Sequence, residues 1–331
     1  MKVAILGAGA WGTALAIALS RRHRVALCAR DAAQAQAMLA TRVNARYLPE
    51  VALPEPVLVT ADVTAALDGA SLALLATPVA GLREAVTSVR ERRAGGSALP
   101  ILWACKGFER GSARLPHQVV DEVAGADAPS GALSGPSFAL EVARGQPTAL
   151  TLASRDAAFA RDTARELNDA ALRVYFSTDL VGVETGGAVK NVLAIATGIC
   201  DGLELGLNAR AALITRGLAE IRRLGVALGA QPDTFTGLTG MGDLILTCTG
   251  DLSRNRRVGL LLAGGLPLSQ ALAQLGHVAE GVNTAHEVLR LAQASSVDMP
   301  VTQAVCAVLD GRLAPAAAVR ELMSRDPRGE A

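Results

Sequence analysis

A few residues of this chain have the type and setting to do chemistry. Lys190 stands in the middle of a run from Val181 to Leu203 whose other residues are mostly small or apolar. Such a pattern predicts a buried helix, and a charge inside one is costly unless it is paired or used. A buried lysine can give or take the proton of an alcohol; the alternative is a lysine whose head reaches the surface. Lys106 directly follows an apolar stretch, in Lys106-Gly107-Phe108-Glu109. Asp243 closes Gly240-Met241-Gly242-Asp243, which reads as a tight turn holding one carboxylate. In Ser253-Arg254-Asn255-Arg256-Arg257, Ser253 is a good helix N-cap. Arg254 and Asn255 then fall at a helix N-terminus, where an anion is favoured. Arg256 and Arg257 read as a solvated basic helix start.

These residues need elements to position them. Near the start, Val3 to Leu6 is an apolar run of strand length, followed by Gly7-Ala8-Gly9-Ala10-Trp11-Gly12 and an Ala/Leu-rich helical pattern. Strand, Gly-x-Gly-x-x-Gly and helix together point to a dinucleotide site. Gly7 permits the turn, Gly9 lets backbone approach a pyrophosphate, and Gly12 lets the helix pack on the sheet. A second strand, Arg24 to Ala29, ends on Arg30-Asp31. An arginine at that place accommodates a 2′-phosphate and an acid bonds a 2′-hydroxyl. Arg30 comes first, so NADPH is expected, and Asp31 keeps NADH open.

Residues 32–56 read as a helix and a proline-bearing polar loop. Strands are predicted at Val57–Val59, Ser71–Ala76, Pro100–Cys105 and Ala132–Ser134, with Thr148–Ala153 and Arg173–Phe176 able to extend the sheet. Strands alternating with helices make a doubly wound, mostly parallel α/β sheet of Rossmann type. Ligands sit beyond the carboxyl ends of such strands, where Lys106 and the turn Gly135-Pro136-Ser137-Phe138-Ala139 fall. From Asp179 onward helical patterns replace strands, at 209–228, 260–275, 283–294 and 300–309. The expected division is a dinucleotide-binding domain over 1–178 and an all-helical substrate and catalytic domain over 179–331. The tail from Arg325 reads as disordered.

Composition narrows the class. The 331 residues are half hydrophobic and 3% aromatic, with a net charge of +1, which argues against a nucleic-acid or membrane-surface protein. The five cysteines form no metal spacing, and their odd, scattered occurrence fits a reduced cytoplasmic setting. The isolated histidines read as surface or packing residues. A cleaved leader would remove the glycine motif, and no apolar run is long enough to span a membrane. With no metal set and no nucleophile triad, the parts suit hydride transfer between a nicotinamide and a carbonyl or alcohol of a small anion.

The motifs, in order, resemble the bacterial NAD(P)-dependent sn-glycerol-3-phosphate dehydrogenases along nearly the whole chain. The match rests on the first glycine motif, Lys106–Glu109, Ser134–Ala139, Gly187-Ala188-Val189-Lys190-Asn191, Gly240–Asp243 with Ser253–Arg257, and Val278-Ala279-Glu280-Gly281-Val282. The resemblance implies reversible reduction of dihydroxyacetone phosphate to sn-glycerol 3-phosphate for glycerophospholipid synthesis. It implies Lys190 as proton donor and acceptor, and Lys106 against both substrate and cofactor. Gly135, Ser137, Asp243, Ser253, Arg254 and Asn255 would line the substrate, with Arg254 and Asn255 at its phosphate. Gly7, Gly9, Ala10, Trp11, Gly12, Arg30, Ala139, Arg254, Val278 and Glu280 would hold the cofactor. The family often has serine at Ala10, so one hydroxyl contact is missing here. A homodimer is also implied. Asp243 could orient or pair with the Lys190 ammonium, an inference from the residues themselves. Two rivals stand beside this reading. One is a two-domain dehydrogenase acting on a hydroxy acid or sugar acid phosphate. The other is a non-catalytic NADPH-binding sensor, which would not need Lys106, Lys190 and Asp243 together.

Overall fold

Strand sequences such as Lys2-Val3-Ala4-Ile5-Leu6 and Leu72-Ala73-Leu74-Leu75 are apolar at nearly every position, the pattern of strands buried on both faces. In the computed structural model they form the centre of a sheet. The structure describes residues 1–92, 98–276 and 279–324. Val278, expected at the cofactor, His277 and the tail 325–331 lie outside the described residues.

The described chain divides into two compact units, one of Met1–Glu109 with Arg114–Glu184, the other of Arg110–Ala113 with Thr185–Ala331. The first unit runs β1 (Lys2–Leu6), α1 (Ala10–Leu19), β2 (Arg24–Cys28), α2 (Ala32–Thr41), β3 (Val43–Asn44), β4 (Leu48–Ala52), β5 (Leu58–Thr60) and α3 (Val63–Leu67). It continues with β6 (Leu72–Leu75), α4 (Leu82–Glu91), β7 (Ile101–Trp103), α5 (Pro116–Ala124), β8 (Ser130–Ser134), α6 (Ala139–Ala143), β9 (Thr148–Ala153), α7 (Ala157–Leu167) and β10 (Leu172–Ser177). Among the described residues the main sheet has the order β10-β9-β8-β7-β6-β1-β2-β5. All neighbours are parallel except β8 and β9. Alternate strand residues feed two cores: Val3, Ile5 and Leu74 enter one, Ala4, Leu6 and Leu75 the other. This is the predicted doubly wound sheet, extended at one side by β9 and β10.

One buried cluster locks three segments of this unit. Glu184 accepts from Trp103 Nε1 at 2.8 Å and from the His117 backbone N–H at 2.8 Å, and its other oxygen pairs with His117 Nδ1. Burial pushes the Glu184 carboxyl up, against the pull of His117 and Trp103. His117 is thus a packing histidine, as its isolation in the sequence suggested.

The second unit is helical: α8 (Leu180–Gly202, its first residues belonging to the first unit), α9 (Gly206–Ala227), α10 (Asp243–Thr249), α11 (Arg254–Ala263), α12 (Leu268–Leu275), α13 (Glu280–Ala294), α14 (Pro300–Leu309) and α15 (Pro315–Met323). Among the described residues no helix is long and apolar enough to cross a membrane.

Several local expectations are corrected. The loop predicted within 32–56 contains the antiparallel pair β3–β4; Pro49 masked it, yet a two-stranded pair tolerates proline at its open edge. The single helix expected over 260–275 is two, α11 and α12, because Gly264-Gly265-Leu266-Pro267 breaks it. The tight turn at 238–242 is a π-helical turn leading directly into α10. The helix α15 was not anticipated. Arg256 is not solvated: it pairs with Asp201 at 2.7 Å and Asp251 at 2.9 Å, tying α11 to α8.

A buried acid makes this unit sensitive to pH. Glu220 of α9 accepts from Val301 N at 2.6 Å, Thr302 N at 3.2 Å and Thr302 Oγ1 at 3.0 Å, capping the start of α14. Burial outweighs those bonds and pushes its carboxyl up to about 7. A folded value above the unfolded one means that the folded chain holds this proton more tightly. The associated stability is full below the unfolded value near 4.5 and is lost as pH rises through about 7. The expected loss from this group between pH 4 and 8 is about 3 kcal/mol. Glu220→Gln should flatten that slope in denaturant titrations followed by helical circular dichroism; an unchanged slope would refute it.

Candidate active site

The phosphate turn lies where β1 gives way to α1, and β1 is flanked by β2 and β6. Its glycines are needed for different reasons. Gly7 has φ +113°, and a Cβ on it would stand 2.8 Å from the Ala76 carbonyl; a Cβ on Gly12 would stand 1.9 Å from the Gly7 oxygen. At Gly9 a Cβ would meet nothing within 4 Å, so backbone there borders open space. Gly9 is the N-cap of α1 with no side-chain cap bond, which leaves first-turn N–H groups for an anion. Ala10 and Trp11 open the helix, Trp11 half-buried against the core.

Side chains that the sequence did not single out hold this turn. Asn44 Nδ2 donates to the Ala8 carbonyl at 3.0 Å and to Thr13 Oγ1 at 2.8 Å, and Gln34 donates to the same carbonyl at 2.8 Å. Thr77 Oγ1, beyond the end of β6, and Ser134 Oγ, at the end of β8, are buried without a hydrogen-bond partner. Thr77 is next to the glycine turn, since a Cβ on Gly7 would stand 3.0 Å from its backbone N, and an orphaned hydroxyl there fits a polar ligand; Ser134 is on β8, three strands from β1. Arg30 is exposed just past β2, while the Asp31 carboxylate accepts from Ala33 N at 2.9 Å as the cap of α2. Asp31 is therefore already engaged by its own helix.

Elsewhere in the first unit three predicted residues converge. Lys106 Nζ donates to the Gly135 carbonyl at 3.1 Å, and Ser137 Oγ donates to the same oxygen at 3.1 Å. Ala139 opens the short α6 beside them.

In the second unit Lys190 is buried in α8, its side chain 8% exposed. Its ammonium donates to Asp243 Oδ1 and to Thr247 Oγ1, the latter at 2.8 Å. Thr247 in turn donates to the Asp243 carbonyl at 2.7 Å, so its hydroxyl lone pair is what faces the lysine. Thr247 escaped the sequence reading; its signal was the one-turn spacing from Asp243 on a helix that was read as a turn. The approach depends on Gly186, one turn before Lys190, where a Cβ would stand 2.5 Å from the Thr239 carbonyl. The π-helical turn can thus lie against α8 and deliver Asp243 to the lysine.

The residues expected at the substrate phosphate lie near the same helix. Ser253 caps α11, accepting from Arg256 N at 3.2 Å, and Arg254 is exposed at the first position. Asn255 is buried: its oxygen accepts from Gly281 N at 3.0 Å and its amide donates to Asn191 Oδ1 at 3.0 Å. One amide N–H of Asn255 remains after these bonds. Glu280 opens α13, half-buried. Burial pushes the Cys28 thiol up to about 11 and the Cys248 and Cys306 thiols up to about 12, which makes these three poor nucleophiles.

These features agree with known proteins. The family model for the NAD-dependent glycerol-3-phosphate dehydrogenase N-terminus matches residues 2–160, and the model for the C-terminus of the same enzymes matches 179–320. A glycerol-3-phosphate dehydrogenase (NAD(P)+) of Dechloromonas aromatica is 62% identical over 330 residues, covering all of this chain and 99% of its own length. One from Aromatoleum aromaticum is 57% identical, with both chains fully covered. The crystal structure of glycerol-3-phosphate dehydrogenase from Coxiella burnetii superposes with a TM-score of 0.92 at 44% identity, covering 98% of this chain and 99% of that one. D-mandelate dehydrogenase, at 15% identity and a TM-score of 0.59, shares the fold alone. With two family models covering most of its length and relatives at this identity, the chain belongs to the NAD-dependent glycerol-3-phosphate dehydrogenase family.

Proposed function

We propose that the chain catalyses the reversible, NAD(P)H-dependent reduction of dihydroxyacetone phosphate to sn-glycerol 3-phosphate, the backbone consumed in glycerophospholipid synthesis. The observation that carries this reading is the buried Lys190 ammonium, held by Asp243 and Thr247. The nicotinamide, when bound, supplies or accepts the hydride at C2. Lys190 gives its proton to the C2 oxygen in reduction and takes it back in oxidation. Asp243 keeps that ammonium paired and Thr247 fixes its direction. Arg254, the capped start of α11 and the remaining N–H of Asn255 suit the substrate phosphate. Lys106, Gly135 and Ser137 are assigned to the substrate by the resemblance, Lys106 also to the cofactor. Gly7, Gly9, Ala10, Trp11, Gly12, Arg30, Ala139 and Glu280 are assigned to the cofactor. In the same reading residues 1–178 serve the nucleotide and 179–331 the substrate, and the enzyme acts in the cytoplasm as a homodimer.

The test is NADPH oxidation, followed by absorbance, on adding dihydroxyacetone phosphate to the pure protein. A rate that disappears with unphosphorylated dihydroxyacetone supports both the reaction and the phosphate requirement. Folded protein that binds NADPH yet shows no rate would return the question to other substrates.

Arg30 is the residue proposed to read the 2′-phosphate. Arg30→Asp should lower kcat/KM with NADPH relative to NADH by about tenfold or more, the effect of losing one charge-assisted phosphate contact. An unchanged ratio would remove Arg30 from cofactor selection.

A further inference from the structure

A turn built on glycine has no side chain of its own to hold its peptides in place. The planes after β1 still have to be fixed, because an N–H serves an anion best when it already points at it. The peptide between Ala8 and Gly9 is held from one side. The Ala8 carbonyl accepts from Asn44 Nδ2 at 3.0 Å and from Gln34 Nε2 at 2.8 Å, which uses both of its lone pairs. The two amides come from different elements, Gln34 from α2 and Asn44 from β3. Asn44 is fully buried and also donates to Thr13 Oγ1 of α1 at 2.8 Å, while its own oxygen accepts from Gln34 at 3.4 Å. None of the described peptide bonds is cis, and in a planar trans peptide the C=O and the following N–H point in opposite directions. A carbonyl drawn inward at Ala8 therefore turns the Gly9 N–H outward. Open space borders Gly9, where a Cβ would meet nothing within 4 Å.

We propose that Asn44 and Gln34 are positioning residues for the cofactor: by gripping the Ala8 carbonyl they aim the Gly9 N–H at its pyrophosphate. This rests on the dinucleotide reading of the turn. Both amides approach the peptide from the side opposite to the outward N–H, so they act through the backbone and not by contact with the ligand. The grip gives the β3–β4 pair a purpose, since it carries Asn44 to the turn. It also links two parts of the nucleotide site. Asp31 caps the start of α2 beside Arg30, and Gln34 follows three residues later on the same helix.

Cofactor binding by the full-length protein tests the proposal. Asn44→Leu and Gln34→Met keep the approximate shape of each side chain and remove its donor. Fluorescence titration should show the Kd for NADPH raised about tenfold by Asn44→Leu and about threefold by Gln34→Met, as for the loss of one hydrogen bond. Adenosine 2′-monophosphate keeps the phosphate that Arg30 would read but has no pyrophosphate. Its affinity, measured by calorimetry, should be the same in wild type and in both variants. Asn44 is buried and Gln34 half-buried, so Gln34→Met decides the matter if Asn44→Leu does not fold. A wild type that binds no NADPH would overturn the dinucleotide site and its positioning together. Wild-type NADPH affinity in the variants would overturn the positioning alone. An equal loss for both ligands would overturn it as well, because it would make the two amides supports of the fold only.

Discussion

Lys190→Ala is expected to lower kcat for dihydroxyacetone phosphate reduction by about 10³-fold, within the range for loss of a positioned general acid. NADPH affinity should change little, since the phosphate turn that would hold it is formed by β1, α1 and their neighbours. The substitution also leaves Asp243 buried without its countercharge, and an unpaired buried charge costs about 3–5 kcal/mol. Lys190→Arg separates the two effects. Arginine keeps the positive charge beside Asp243 but does not release a proton near neutrality. It should therefore retain more stability than alanine and still lose turnover. Steady-state rates, NADPH titration and denaturant unfolding on both variants make the measurement. Near-normal kcat in Lys190→Ala would eliminate the proton-transfer role.

Asp243→Asn is the second large effect. The side chain is 1% exposed, so water cannot replace the carboxylate. An amide in its place leaves the lysine ammonium with a hydrogen bond but no countercharge. Stability should fall by about 3–5 kcal/mol, the range for breaking a buried pair from one side. The rate of reduction should fall too, with a change that a purely structural role would not give. The reaction needs a protonated lysine, and without its carboxylate that proton is held less tightly. The alkaline limb of the pH–rate profile for reduction should move to lower pH. A profile superimposable on wild type, with only a uniform loss of active protein, would make Asp243 a stability residue alone.

The fold shared with D-mandelate dehydrogenase does not select the substrate. At 15% identity that enzyme speaks for the fold only, and folds of this type host many activities. What favours a phosphate ester here is local: Arg254 at the start of α11, capped by Ser253, with a buried Asn255 behind it. A comparison of dihydroxyacetone phosphate with 2-keto acids as substrates bears directly on that choice.

Much of the architecture could be read in the chain order. Apolar runs of strand length define β1, β2 and β6, and glycine at three fixed positions defines the turn after β1. Ser253 announces a helix start, and the structure shows it capping α11. Lys190 was conspicuous because one charge stood in a long apolar helix. Each of these signals is local, set by backbone sterics or by the partition of a side chain between water and core. Other features were invisible in the sequence. Asn44 grips the phosphate turn from a small strand pair, Thr247 faces Lys190 from α10, and Arg256 is drawn out of solvent by Asp201. Their sequence neighbours do not predict these partners, which lie dozens of positions away. Local sequence therefore determined the strands, the turn and the odd buried charge. Tertiary structure decided which polar groups meet, because a hydrogen bond or ion pair requires two groups within about 3 Å, and folding alone brings distant residues that close.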